Sequence, residues 1–219
     1  MAATSLNDRA ERASTTWSPW GREYARTERY VFGTEPSPYA RRLLRLLPAR
    51  ARVLELGAGE GRDCVFFARH GRDVTGVEMA PEGLVKARRL AAASGVRVRW
   101  IEATLPDLPV WGPFDLVYSC GSIHYVARRD RAALLLRLRA LTRPGGLHFH
   151  VVFTTRFMHP EKGEAMDAFE PGEIAGEYAG WQVRERREGL IACAQDGTRH
   201  AHSVEEILAQ RPGPLSERR

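Results

Sequence analysis

The segment that most restricts this chain is Glu55-Leu56-Gly57-Ala58-Gly59-Glu60-Gly61, set between a short apolar run, Arg52 to Leu56, and a helical pattern that starts at Arg62. Glycine at every second position lets the backbone bend tightly and lets a ligand lie against it. A strand that enters such a turn and leaves as a helix opens a parallel α/β unit. The spacing is Gly-x-Gly-x-Gly, whereas a dinucleotide site wants Gly-x-Gly-x-x-Gly with its third glycine inside the helix. Glu55, two residues before the first glycine, would repel a pyrophosphate and suits an ammonium group. Core packing alone does not explain it, because a buried carboxylate is costly unless paired. Glu78 closes the next predicted strand, 21 residues after Gly57. An acid there accepts hydrogen bonds from both hydroxyls of a ribose. Either acid alone also reads as an ordinary surface residue; with the glycine turn they point to an adenosine-containing ligand with a cationic tail.

The rest of the chain repeats the pattern. Apolar spacing predicts a helix over Tyr39 to Leu47, closed by Pro48, and a helix from Arg62 to His70, stopped by Gly71. Strands follow at Val74 to Val77, Val96 to Ile101 and Phe114 to Tyr118, with a helix over Pro81 to Ala93. Asp130 is expected to cap a helix running to Leu141, and Pro144-Gly145-Gly146 turns into a fifth strand, Leu147 to Phe153. Strand and helix thus alternate from residue 50 to 153, which predicts an α/β fold: a parallel sheet with helices on both faces and a ligand at the carboxyl ends of its strands.

At 219 residues and 43% hydrophobic, the chain has material for one domain with a sizeable core. No apolar run is long enough to span a bilayer, so no membrane partner is expected. Met1 to Thr16 is polar and lacks the apolar stretch of a secretion signal, which predicts a cytoplasmic location. Cys64, Cys120 and Cys193 are far apart and show neither metal-ligand spacing nor a disulfide framework. The net charge of +6 is carried almost wholly by arginine, since Lys86 and Lys162 are the only lysines. These arginines are scattered beside acids, as in Arg184-Glu185-Arg186-Arg187-Glu188, so they read as a solvated surface and not a nucleic-acid stripe.

At this point a family is visible. The stretch Arg52 to Asp63 resembles motif I of class I S-adenosylmethionine-dependent methyltransferases, and Asp73 to Glu78, Phe114 to Ser119 and Thr142 to Gly146 match its later landmarks. Tyr30 to Ser37, and Glu170-Pro171-Gly172-Glu173-Ile174 through Gly180-Trp181, resemble more narrowly the tellurite-resistance-type methyltransferases. The class-level likeness covers about residues 30 to 210. It implies a Rossmann-like three-layer sandwich whose seven-stranded, mostly parallel sheet ends in an antiparallel strand. It also implies a helical lid over residues 1–48, a methyltransferase domain over 49–210 and a flexible tail over 211–219. The implied cofactor is S-adenosyl-L-methionine, leaving as S-adenosyl-L-homocysteine. Glu55 would hold its ammonium, Gly57, Ala58 and Gly59 would pass beneath it, Glu78 would clasp the ribose and Met79 would pack on the adenine. Thr104 stands where the family usually has an Asp facing the adenine amino group. Leu105, Ser119 and Tyr24 complete the implied cofactor set. Ile191-Ala192 replaces a polar His-Arg pair of the tellurite-resistance type, which suits an apolar pocket and an organic acceptor.

On the acceptor side, Ser119 to Tyr125 follows strand four. His124 reads equally as a general base and as a packing residue, and Tyr125 equally as a pocket wall and as packing. Cys120 is better read as a small buried thiol than as a nucleophile. The aromatics Trp17, Trp20, Tyr24, Tyr30 and Phe32 divide between a lid over the sulfonium and simple packing. Arg156, Phe157, Met158 and His159 form a substrate-variable loop. His148 and His150 alternate on strand five, and His200 and His202 alternate in a late strand, Thr198 to Ala209. Four imidazoles on one face would suit a metal, but a half-buried polar stripe is the better reading, and no metal is expected. The expected acceptor is a small organic molecule methylated on O, N or S, with the protein a monomer or homodimer. Detoxification of tellurium, selenium or thiols stands as an alternative, followed by nucleic-acid methylation or non-catalytic cofactor binding.

Overall fold

The computed structural model describes residues 19–157, 166–193 and 199–213. Its sheet has seven strands: β1 Arg52–Leu56, β2 Asp73–Glu78, β3 Arg99–Glu102, β4 Phe114–Cys120, β5 Thr142–Phe153, β6 Gln182–Cys193 and β7 His200–Gln210. Their order across the sheet is β3-β2-β1-β4-β5-β7-β6. The first five are parallel, and β7 runs antiparallel to both β5 and β6. The helices are α1 Pro19–Ala25, α2 Pro38–Leu44, α3 Arg62–Arg69, α4 Pro81–Ala93, α5 Arg128–Ala140 and the short α6 Glu173–Gly176. The chain builds outward from β1 to β3 and then returns to the other side of β1 as β4. The crevice beyond the ends of β1 and β4 is therefore the switch point where open α/β sheets bind ligands, and the glycine turn lies there.

Alternation along the strands divides the core. Val53, Leu116, Tyr118, Phe149 and Val151 face α2 and α3, where Leu43 and Phe67 are fully buried. Leu54, Leu56, Val117, Val152 and Ile207 face the other way, onto Leu134, Leu135 and Leu138 of α5 and onto Tyr178. No helix among the described residues is long and apolar enough to cross a membrane.

Several expectations need correction. The seventh strand, to which the sequence pattern assigns no place, is β6: its side chains are mostly exposed, so it shows no buried face, and its ladder to β7 defines it. The helix expected over Tyr39 to Leu47 is Pro38–Leu44, capped by the Ser37 hydroxyl, which accepts from Ala40 N at 3.0 Å. Strand β3 begins at Arg99, not Val96. Asp130 does not cap α5. The helix starts two residues earlier, and Arg128 N donates to the distant Asp167 carboxylate at 2.8 Å.

The four histidines do not share a face. The β5–β7 register pairs His148 with Ala209 and His150 with Ile207, so residue parity turns His200 and His202 to the opposite side of the sheet. His148 and His150 instead belong to a buried chain of hydrogen bonds whose direction is determined. Thr142 Oγ1 donates to Leu138 O at 2.8 Å, so it accepts from His148 Nε2 at 2.7 Å. Tyr178 OH then donates to His148 Nδ1 at 2.8 Å and accepts from His150 Nε2 at 2.7 Å. Ser119 Oγ finally donates to His150 Nδ1 at 2.7 Å. Every proton is used once, which requires both imidazoles to be neutral. Burial enforces this: it pushes His148 well below its ordinary value, aided by His150 and Arg139, and lowers His150 to about 3.

Candidate cofactor and acceptor site

The glycine turn is clamped to the end of β2. Ala58 N donates to Val77 O at 2.9 Å, and Gly59 N donates to Glu78 Oε2 at 2.8 Å. Glu78 Oε1 accepts from Ala80 N at 2.9 Å. Burial raises the Glu78 pKa, and the backbone donors at Ala80, Gly59 and Met79 oppose that rise. Each carboxylate oxygen has lone pairs left for further donors. Gly57, Gly59 and Gly61 all have positive φ. A Cβ on Gly57 would lie 2.3 Å from Ser122 Cβ, and one on Gly59 would lie 2.9 Å from the Tyr24 hydroxyl. The turn therefore needs glycine for conformation and for space.

Beneath the turn lies Glu55, 5% exposed, with Oε2 lacking any hydrogen-bond partner among the described residues. Its pKa is held well above the carboxylate range by burial first and by the Asp63 charge second, while a hydrogen bond from the Cys64 thiol and the Arg62 charge pull the other way. Asp63 itself accepts from Ser37 N and from the Tyr118 hydroxyl, both at 2.7 Å. Glu55, Asp63 and Glu78 thus gather three carboxyl groups at the carboxyl end of β1. A ligand ammonium fits this donor-starved carboxylate, and a second anion does not.

A second carboxylate of the turn has a structural task. Glu60 Oε1 pairs with Lys86 Nζ of α4 at 2.8 Å, both side chains almost fully buried. Lys86 Nζ also donates to Arg29 O at 2.8 Å, and Glu60 Oε2 accepts from Val31 N at 2.6 Å. One ion pair therefore ties the glycine turn, α4 and the N-terminal segment together. Neither role was foreseen; the signal was that Lys86 is one of two lysines in an arginine-rich chain.

That segment lies over the turn. Tyr24 is 5% exposed and touches Gly59 and Gly83, which explains a glycine inside α4. Trp20 packs near Tyr24 at 5.7 Å, stacks on Phe32 at 5.9 Å and meets Tyr125 edge-on at 6.2 Å. Trp17, Met158 and His159 lie outside the described residues. Met79 is half-exposed beside Glu78. Thr104 is exposed and its hydroxyl donates to Asp107 Oδ2 at 3.0 Å, so an acid unmarked by the motif stands three residues after the position where one was expected. Leu105 is half-buried against the core.

Three further residues belong to the end of β4 and the turn after it. Ser119 is fully buried on the face of the sheet opposite Glu55, and its hydroxyl serves the histidine chain, so its side chain does not join the cofactor set. The half-buried Cys120 thiol is pushed up to about 12, by burial first and then by Asp63, which disfavours the reactive thiolate. His124 sits in a 3-10 turn, Ile123–Tyr125, fully buried against Phe153 at 4.1 Å and Tyr125 at 4.6 Å. Its Nδ1 accepts from Phe153 N at 3.3 Å, which puts the ring proton on Nε2, and that atom has no partner among the described residues. Burial, then the charges of Arg131 and His202, lower its pKa to about 3. A ring in this state donates a hydrogen bond; it is a poor proton acceptor near neutrality.

Comparison with known proteins agrees with this geometry. Residues 53–146 match the family model of the methyltransferase domain. The ubiquinone biosynthesis O-methyltransferase of Cereibacter sphaeroides is 33% identical over 162 residues, 67% of this chain and 64% of that protein. TehB from Haemophilus influenzae superposes with a TM-score of 0.71 at 16% identity, over 80% of this chain and 62% of that one. The N-methyltransferase NodS of Bradyrhizobium japonicum, solved with S-adenosyl-L-homocysteine, superposes with a TM-score of 0.70 at 16% identity, over 91% of this chain and all of that one. The chain thus spans under two thirds of the first two proteins and the full length of the third. At such identities the structural likenesses establish the fold.

Proposed function

We propose that this protein, whose residues 53–146 match the family model of a methyltransferase domain, transfers a methyl group from S-adenosyl-L-methionine to an oxygen, nitrogen or sulfur atom of a small organic molecule. The observation that carries this reading is the buried Glu55 carboxylate with an unpartnered oxygen, directly under a glycine turn that Glu78 clamps. When bound, the cofactor supplies an electrophilic methyl group on a sulfonium.

The chain's own residues then have distinct tasks. Glu55 receives the cofactor's ammonium, which replaces the missing partner of Oε2. Glu78 uses its remaining lone pairs on the ribose hydroxyls and keeps Gly59 in place. Met79 and Leu105 flank the adenine, and the Thr104–Asp107 pair accepts its amino hydrogens, with Asp107 restoring the acid that Thr104 lacks. Tyr24, Trp20 and Tyr125 present ring faces over the sulfonium and exclude water from it. His124 orients the acceptor by donating from Nε2, without taking its proton. Transfer then depends chiefly on alignment.

The test is direct. The purified protein is incubated with the cofactor and a panel of phenols, amines and thiols, and S-adenosyl-L-homocysteine formation is followed by mass spectrometry. Acceptor-dependent product is expected. Tight cofactor binding with no turnover on any class would refute the catalytic reading.

A further inference from the structure

We propose that Cys193, His200 and His202 bind one zinc-class transition-metal ion at the outer end of the β6–β7 ladder. The register pairs Cys193 with His200 and Ile191 with His202. Directly opposed residues share a face, and residues two apart on one strand share it too. The ladder therefore gathers one sulfur and two imidazoles on one side of the sheet, although Cys193-x6-His200-x-His202 shows no familiar metal spacing in sequence. One potential ligand atom from each of the three lies within 4.8 Å of the others, and the two Nε2 atoms are 2.9 Å apart. Tetrahedral zinc, with bonds of about 2.0–2.1 Å to nitrogen and about 2.3 Å to sulfur, sets its ligand atoms roughly 3.3–3.6 Å from one another. The cluster thus closes on an ion with side-chain adjustments on the order of 1 Å.

The chemistry of the donors narrows the ion. A thiolate and two imidazoles, with no carboxylate among them, select Zn2+ or Cu+ over Mg2+ or Ca2+. Three protein ligands leave the fourth position to water or to an external ligand such as a thiolate, the composition of a reactive site and not of a closed structural one. Support for the ligands is present. His202 is buried and its ring stacks on Phe153 at 4.2 Å, which fixes the imidazole plane. Cys193 and His200 are half-buried, so an ion can reach them. The other face of Phe153 carries His124, so the metal cluster borders the acceptor side of the fold. This inference does not depend on the methyltransferase reading, because none of its residues belongs to the cofactor cradle.

The test uses the full-length protein, stripped with a chelator and titrated with Co2+ and then Zn2+. One Co2+ per chain is expected, with tetrahedral visible bands and a near-ultraviolet thiolate-to-cobalt band that equimolar Zn2+ displaces. Cys193→Ser should abolish the charge-transfer band, and His202→Gln should weaken binding at least tenfold, while an unchanged far-ultraviolet dichroism spectrum and urea midpoint show that both variants are folded. On the wild-type protein, one equivalent of Zn2+ should slow alkylation of Cys193. Lack of stoichiometric uptake, a charge-transfer band that survives Cys193→Ser, or unprotected Cys193 would overturn the proposal and leave ordinary cross-strand packing.

Discussion

The ion pair Glu60–Lys86 offers a sharp test of how the N-terminal segment is held. Lys86→Met keeps the length and apolar stem of the side chain and removes only the charge. Glu60 would then stay buried with Val31 N and no cation beside it, and Arg29 O would lose its donor. Removing one partner of a buried pair costs about 3–5 kcal/mol, because the other charge is left uncompensated. Against a total stability of about 5–15 kcal/mol, that is a large fraction. Urea unfolding followed by circular dichroism reads it as a lower midpoint at unchanged slope. The double variant Glu60→Gln/Lys86→Met removes both charges and should recover more than half of the loss, since replacing a whole buried pair is often close to neutral. Because the pair fastens Arg29 to Val31 over the glycine turn, Lys86→Met should also weaken cofactor binding where the protein is still folded. A loss below about 1 kcal/mol, or strict additivity of the two single changes, would refute the reasoning.

Other expectations follow from the same geometry. Gly57→Ala places a Cβ against Ser122 at a backbone φ of +69°, and calorimetry should show cofactor affinity lost while the far-ultraviolet dichroism stays native. Tyr178→Phe leaves His148 Nδ1 without a donor and His150 Nε2 without an acceptor, so stability should fall by about 2–6 kcal/mol in urea, and an unchanged midpoint would contradict the chain of bonds. The raised Glu55 pKa makes the folded protein hold a proton that the unfolded chain has released, so ligand-free stability should decline as pH rises from the ordinary carboxylate range through the raised value. Over the same window the affinity for S-adenosyl-L-homocysteine should rise, because the ammonium selects the ionised carboxylate, and Glu55→Gln should flatten that slope. Asp107→Ala should weaken cofactor binding, and an unchanged dissociation constant would remove Asp107 from the adenine contact.

What the sequence made legible was local. The glycine turn, Glu55 and Glu78 stand within one strand–turn–helix–strand unit, where residue type and spacing carry the information. Helix α4 and strand β4 follow from periodicity and from Pro and Gly punctuation. Strand β6 was hidden because an edge strand studded with charges has no buried face, and only its backbone pairing reveals it. The cap of α5 was misassigned because a nearby Asp130 looked sufficient, while Asp167 arrives from 39 residues away. Ser119 looks like a pocket residue in the sequence because it follows the strand expected over Phe114 to Tyr118. Its parity on the strand and its partner His150, 31 residues on, turn it inward. His124 shows the same limit: a histidine after strand four reads equally as a base and as packing until burial and the Phe153 amide fix its tautomer.

The central claim is that Glu55 and Glu78 hold S-adenosyl-L-methionine over the glycine turn. It is tested most directly by calorimetric titration of S-adenosyl-L-homocysteine into the wild-type protein and into Glu55→Gln, at a pH above the raised Glu55 pKa. The account predicts one site per chain, weakened in the variant by about 1.5–3 kcal/mol, tenfold to over a hundredfold, for the lost charge-assisted bond. Equal affinity in the two proteins, or no binding at millimolar ligand, would contradict it.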